Sequence, residues 1–274
     1  MEEAAAEAKR NISTRNSFLR LHLNLWTKVK SIWIDDKDWI EGQPDLDITK
    51  LVGESCYGAL DLSSTSDLTA FTLIFSPSVR SYYPDKYLSF NWFWLPEEKA
   101  KDSADKNNVY YAKWVQEGHI EETRGKVLDY DFIRERILDI IQPYSFQMLA
   151  YDPYNSTQIV AKLMETLGED AIRVFRQGFV SMNEPTRTLE VQLKTGQYYH
   201  GNNPVLRWNL SNTVVITDTG GKLVKPDKNT YHQKIDGTVT NIMALWTAMI
   251  MKPKATGSWT DGMSEQEIKD FFAA

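Results

Sequence analysis

A single cysteine, Cys56, is all that the 274 residues contain, so no disulfide can form within the chain, and that usage suits a reducing compartment. Cys56 stands in an apolar run and reads as a small buried residue rather than a reactive thiol. Only four histidines are present, and none has the spacing of a zinc site. No stretch approaches the roughly 18 consecutive apolar residues of a membrane span. The first residues, MEEAAAEAKR, are acidic and alanine-rich and lack the apolar centre of a secretion signal. There is no internal repeat. These absences point to a protein of the cytoplasm with no membrane partner.

What is present is ample core material, 42% hydrophobic and 12% aromatic, enough for one large domain with an appendage. A net charge of −6 argues against a nucleic-acid partner until its distribution is considered. Between Arg173 and Lys234 nine basic residues face four acidic ones, a local net of +5. Such a segment is either a solvated surface or a phosphate-binding one.

Residues 1–50 read as a lead-in segment that ends at the turn signals of EGQPD. Three strands follow at 56–64, 69–75 and 86–94, joined by short polar connections that favour an antiparallel meander. After a polar insertion the period changes to helical near 131, with Phe132, Ile133, Ile137, Ile140 and Ile141 on one face. A fourth strand at 146–152 precedes a helix that Asn155 or Ser156 can cap and Gly168 closes. Its stripe is Ile159, Val160, Leu163, Met164 and Leu167. A fifth strand follows at 172–177, then a helix at 184–194. VLRWNLSNTVVI suggests a hairpin, Gly220-Gly221 a hairpin turn, and 237–250 a last helix with Val239, Ile242, Met243, Trp246, Met249 and Ile250 on one stripe.

Three strands, then alternating helices and strands, predict an α/β fold: a ribonuclease-H-like mixed sheet of order 3-2-1-4-5 flanked by helices. In that fold Asp61, on the first strand, and Asp152, ending the fourth, can meet over the carboxyl end of the sheet, where open α/β sheets carry their sites. Asp236 opens the last helix and can supply a third carboxylate. Converging carboxylates repel unless cations neutralise them, and hard divalent ions favour oxygen ligands. Two such ions can drive phosphodiester hydrolysis without a protein general base. Each aspartate also has a structural reading, Asp152-Pro153 as a turn and Asp236-Gly237 as a helix start.

At these residues the chain resembles the nuclease portion of the large subunit of tailed-bacteriophage terminases. The likeness runs through ALDLSSTSDLTA (59–70), YYAKWVQEGHI (110–120), LDYDFI (128–133), YDPYNSTQ (151–158), FRQGF (175–179), NPVLRWN (203–209) and KPDKNTYHQKIDGTVTNIMAL (225–245). RLHLNLW (20–26) looks like the family's connector. The chain then divides into a lead-in or connector over 1–50, a nuclease domain over 51–252, as the resemblance implies, and a tail over 253–274 that reads as a flexible end. The resemblance further implies an endonuclease that cuts concatemeric double-stranded viral DNA during packaging, with two Mg²⁺ or Mn²⁺ ions held by Asp61, Asp152 and Asp236. Asp67 would be an outer or occasional ligand, although a Ser/Thr turn around Thr65 and Ser66 also explains it. Partners implied are DNA, a terminase small subunit and the portal of a procapsid, in the host cytoplasm.

The family's motor half needs a GxxxxGK[ST] loop, and this sequence has none, so translocation is not expected of this chain alone. Lys225, Lys228 and Lys234 surround Asp236 and are the candidates for phosphate contact, Lys234 foremost. Arg176 and Arg207 are weaker candidates, because both lie in apolar contexts that favour stem packing. Tyr154 and the Phe90–Trp94 run are assigned to the core over base stacking. Two alternatives stand beside the nuclease. One is an actin-like nucleotide-binding protein of the same fold superfamily, which DLSST superficially fits. The other is a non-catalytic phage assembly protein.

Overall fold

The computed structural model describes residues 33–40, 43–62, 68–78, 81–102, 108–154, 157–230 and 233–251. Most of the expected connector, the Asp67 turn with Thr65 and Ser66, the caps Asn155 and Ser156, and the tail lie outside the described residues.

The sheet is built on β1 (Ser55–Asp61), β2 (Thr69–Phe75) and β3 (Tyr87–Pro96), an antiparallel meander. β2, TAFTLIF, is buried along its whole length, as expected of a β-branched and aromatic strand covered on both faces. After α1 (Asp36–Ile40) in the lead-in come α2 (Glu97–Lys101), α3 (Asn108–Gln116) and the short strand β4 (Glu121–Thr123), parallel to β3. Helix α4 (Tyr130–Ile141) starts where the Asp129 carboxylate accepts from the Asp131 and Phe132 amides. Ile133, Ile137 and Ile141 are its buried stripe, whereas Phe132 is exposed.

Strand β5 (Ser145–Tyr151) then returns parallel to β1. Helix α5 (Thr157–Leu167) ends at Gly168, whose φ of +84° only glycine adopts readily, and leads to β6 (Ile172–Val174), parallel to β5. The resulting order is β4-β3-β2-β1-β5-β6, with β7 (Tyr198–Tyr199) also pairing β3. The five strands expected from sequence appear in the expected ribonuclease-H-like order. β4 and β7 are additions too short to carry a period of their own.

Two expectations are corrected. Helix α6 (Phe179–Lys194) begins five residues before the expected 184, with Gly178 at its cap and Pro185 inside its second turn. The first part of VLRWNLSNTVVI is helix α7 (Pro204–Ser211), not a hairpin strand. Asn203 caps it by accepting from the Val205 and Leu206 amides, Pro204 takes the first helical position, and Val205, Leu206, Asn209 and Leu210 face inward. The hairpin that does form joins β8 (Thr213–Thr217) to β9 (Val224–Lys228), with Gly220 and Gly221 in its turn.

Helix α8 (Asp236–Ile250) lies across β1 and β2 and reaches β5. Ile250, expected on its inner stripe, is exposed at its end. On this side of the sheet the core includes Tyr57, Ala59, Ala70, Phe93, Met148, Ala150, Met182, Leu206, Ile242 and Met243. The opposite side packs Leu60, Phe71, Leu73, Leu149 and Tyr151 against α4 and α5. Cys56 is buried there, and burial pushes its thiol above its usual range. Trp33, Ile34 and Trp39 from the lead-in join the α8-side core, where Trp39 stacks on buried His200 at 3.4 Å between ring centroids.

The seat of α8 is polar as well as apolar. The Asn241 amide donates to Asn91 Oδ1 (2.7 Å) and to the Gly237 carbonyl (2.6 Å), while its own oxygen accepts from Ser89 Oγ (2.6 Å) and Tyr198 Oη (2.7 Å). Thr72 and Thr240 hydroxyls meet at 2.7 Å beside it. Close approach is required at the start of the helix: a Cβ on Gly237 would fall 2.8 Å from Phe93 Cζ. Asn241→Ala strips partners from several buried groups at once, and the expected loss is about 3 kcal/mol or more of unfolding free energy. Urea denaturation of the variant measures it; a change within about 0.5 kcal/mol, the scale of a surface substitution, would show that the network contributes nothing net.

Candidate active site

The β1–β5 register pairs Leu60 with Tyr151, so one further step along both strands sets Asp61 across from Asp152. Side chains alternate between faces along a strand. Ala59 and Ala150 belong to the core under α8, and Leu60 and Tyr151 to the other side. The same alternation turns Asp61, the last residue of β1, to the α8 side, and Asp152 follows directly on the end of β5. Asp236 is the first residue of α8 and is buried, at 9% exposure. A helix start favours negative charge there. The neighbouring Gly237 amide donates to Asn209 Oδ1 (2.6 Å), so α7 holds the first turn of α8 in place.

Electrostatics place Asp236 and Asp152 each within reach of Asp61. Burial pushes the Asp61 carboxyl up to about 7; the charge of Asp236 and, more weakly, that of Asp152 push the same way. A hydrogen bond from Gln177 Nε2 to Asp61 Oδ1 (3.0 Å) and the charge of Lys228 act in the opposite direction. Asp152 also makes the turn that its sequence suggests, with Oδ1 accepting from the Tyr154 amide at 2.8 Å. As they stand, no three His, Cys, Asp or Glu side chains among the described residues are close enough to hold one ion between them. The donor chemistry of Asp61, Asp152 and Asp236 is nonetheless that of a hard divalent cation: carboxylate oxygens that repel one another unless a cation neutralises them.

The basic residues divide. Lys228, at the end of β9, lies near enough for its charge to act on Asp61. Lys225 sits over the Phe179 ring at 5.3 Å, tying the hairpin to α6. Lys234 is fixed through its backbone carbonyl, which accepts from Asn212 Nδ2 at 3.0 Å. Arg207 departs from the apolar setting expected for it: it is an exposed partner of Asp36, with bonds of 2.8 and 2.6 Å that hold the lead-in helix. Arg176 is exposed, not packed along its stem. Arg187 donates to Asn183 Oδ1 (3.1 Å) and to the Lys222 carbonyl (3.0 Å), and Lys194 pairs with Glu190 (2.6 Å).

Tyr154 corrects the core assignment made for it. It is 76% exposed beside Asp152, because Pro153 and the Asp152 turn carry it away from the sheet. In the Phe90–Trp94 run, Phe93 and Trp94 are buried, one on each side of the sheet. Gln177 was not singled out as a site residue, though it stands inside FRQGF. Its signal is a long polar amide in the loop directly after the edge strand β6. Asn209 and Asn241 are marked only by being amides at inward-facing positions of apolar helices.

Comparison with known proteins matches residues 1–252 to the family described as terminase large subunit, endonuclease domain. The chain is 30% identical over 252 residues to the terminase large subunit of Enterobacteria phage HK97, covering 90% of this chain and 47% of that protein. It is 29% identical over 261 residues to protein YmfN of Escherichia coli K12, covering 91% of this chain and 55% of that protein. The crystal structure of the HK97 large terminase superposes with a TM-score of 0.67 at 28% identity, over 89% of this chain and 49% of that one. The chain thus spans about half the length of the curated relatives it matches. With its sheet order and the extent of that match, the chain belongs to the family of phage terminase large-subunit endonuclease domains.

Proposed function

We propose that this chain is a divalent-cation-dependent endonuclease acting on double-stranded DNA, with Asp61, Asp152 and Asp236 as its metal-holding carboxylates. The reading rests on one observation. Asp61 lies one residue beyond the Leu60–Tyr151 pair and feels the charges of both Asp152, which follows Tyr151, and Asp236, which opens α8. Mg²⁺ or Mn²⁺, two ions by family resemblance, would supply charge neutralisation and activation of water for attack on phosphorus.

The protein's own part is to hold three acids together against their repulsion and to bring the phosphate to them. Lys228, whose charge acts on Asp61, would balance the acidic charge and meet a DNA phosphate in this reading, while Lys225, also a phosphate contact here, lies over Phe179 from the same hairpin. Lys234, two residues before Asp236, is a further phosphate contact in this reading. The biological substrate would be concatemeric viral DNA cut during packaging in the host cytoplasm. The partners would be a terminase small subunit and the portal of a procapsid. Among the described residues no helix is long and apolar enough to cross a membrane.

Incubation with supercoiled plasmid and Mn²⁺ should give nicked and linear DNA, and EDTA should stop it. Asp61→Ala, Asp152→Ala and Asp236→Ala should each lower the rate by at least about 100-fold, the scale expected for loss of a group that stabilises the transition state. A variant that keeps cutting removes its residue from the site. Lys228→Ala should weaken DNA binding and reduce its salt dependence by about one counterion, read from affinity against salt concentration.

The raised Asp61 carboxyl has a definite pH signature. In the unfolded chain an aspartate titrates near about 3.9. Between that value and about 7 the folded, metal-free protein keeps a proton that the unfolded chain has lost. Stability without metal should therefore fall as pH rises from about 4 to about 7 and level off above it. Metal must displace that proton, so its affinity should rise over the same interval. Thermal melts in EDTA from pH 5 to 8 check the first statement. Asp61→Asn should flatten the slope, and an equal slope in that variant would remove Asp61 as its source.

A further inference from the structure

The loop between β6 and α6 brings one uncharged donor into an otherwise acidic site. Its backbone is tied to the end of β5, since the Phe175 amide donates to the Tyr151 carbonyl at 2.8 Å, one residue before Asp152. A tight turn follows, with the Gly178 amide donating to the Arg176 carbonyl at 2.7 Å. Gln177 projects from that turn, half-buried, and its Nε2 reaches Asp61 Oδ1 at 3.0 Å and Met243 Sδ of α8 at 4.0 Å. One side chain thereby touches the strand that carries Asp61 and the helix that carries Asp236, from a loop anchored beside Asp152.

We propose that Gln177 is a positioning residue that orients the Asp61 carboxylate for cation binding, engaging one oxygen and leaving the other to the ion. The chemistry of an amide suits this task. Lysine at the same place would compete with the cation for Asp61, and an ionised glutamate would repel it. An aliphatic side chain would fill the space but leave the carboxylate free to rotate. A glutamine donates without charge, so it restrains Asp61 and keeps its negative charge available. This role rests on the metal-dependent reading of the three aspartates.

The test is direct Mn²⁺ binding to the full chain, read from the loss of the free-ion EPR signal, with no DNA present. Gln177→Met should raise the Mn²⁺ dissociation constant about 10–100-fold, as loss of a partner to a ligating carboxylate does. The Mn²⁺ midpoint for plasmid cutting should move by a similar factor, while the rate at saturating Mn²⁺ largely recovers. A merely structural glutamine would lower the melting temperature and leave both midpoints in place, and that result overturns the proposal. Should Gln177→Met fail to fold, a Mn²⁺-soaked crystal of the unaltered protein decides instead. Gln177 on one Asp61 oxygen and the ion on the other supports the role; Gln177 turned away from an ion-bound Asp61 overturns it. If the unaltered protein binds no Mn²⁺, the metal-dependent reading fails first, an outcome distinct from equal binding by protein and variant.

Discussion

Repulsion among acids in a partly dehydrated place is the constraint around which this molecule is arranged. Asp61, Asp152 and Asp236 are far apart in sequence and belong to a strand, a turn and a helix, yet the charges of Asp236 and Asp152 both act on Asp61. Left to themselves such groups would separate or take up protons. What prevents separation is the seat of α8. Asn241 bonds across to β3 and β7 through Asn91, Ser89 and Tyr198, Thr240 meets Thr72 of β2, and Gly237 lets the first turn press on Phe93. Buried networks of this kind cost little only when every member is satisfied, and the pairing around Asn241 meets that condition.

The same arrangement separates two duties that often conflict. Apolar packing, through Val239, Ile242, Met243 and their partners on β1, β2 and β5, supplies most of the adhesion between helix and sheet. It is not directional enough to set the rotation of the helix. The hydrogen bonds of Asn241 and the Asn209–Gly237 contact are directional, and they determine where the first residue of α8 lies. The carboxylate of Asp236 is placed by that rotation. Gln177 performs a comparable task for Asp61 from the other side of the site.

Much of the fold could be read from the residues alone because it depends on periodicity. The run TAFTLIF declares a strand buried on both faces, and the stripe Ile159, Val160, Leu163 declares a helix ended by Gly168. Readings failed where local chemistry outweighed pattern. Asn203-Pro204 starts a helix in a stretch whose apolar residues also suit a strand. The helix over Phe179–Lys194 runs back through a proline that is tolerated in its second turn. Tyr154 is thrown outward by the turn of Asp152 and Pro153, although aromatic side chains are more often inside.

Sequence by itself determined the kind of molecule: most strand and helix types, their order and the mixed sheet they build. Tertiary structure alone decided the rest. That Leu60 pairs with Tyr151, directly before Asp61 and Asp152, is a matter of strand register, and a slip of one residue would turn the Asp61 side chain to the other face. That Lys228 lies near Asp61, that Arg207 serves the lead-in helix and that Gln177 grips a carboxylate all depend on contacts between segments more than 100 residues apart. Periodicity is a property of neighbours along the chain and is visible in sequence. Such contacts depend on how whole elements pack, and packing is settled only when the core closes.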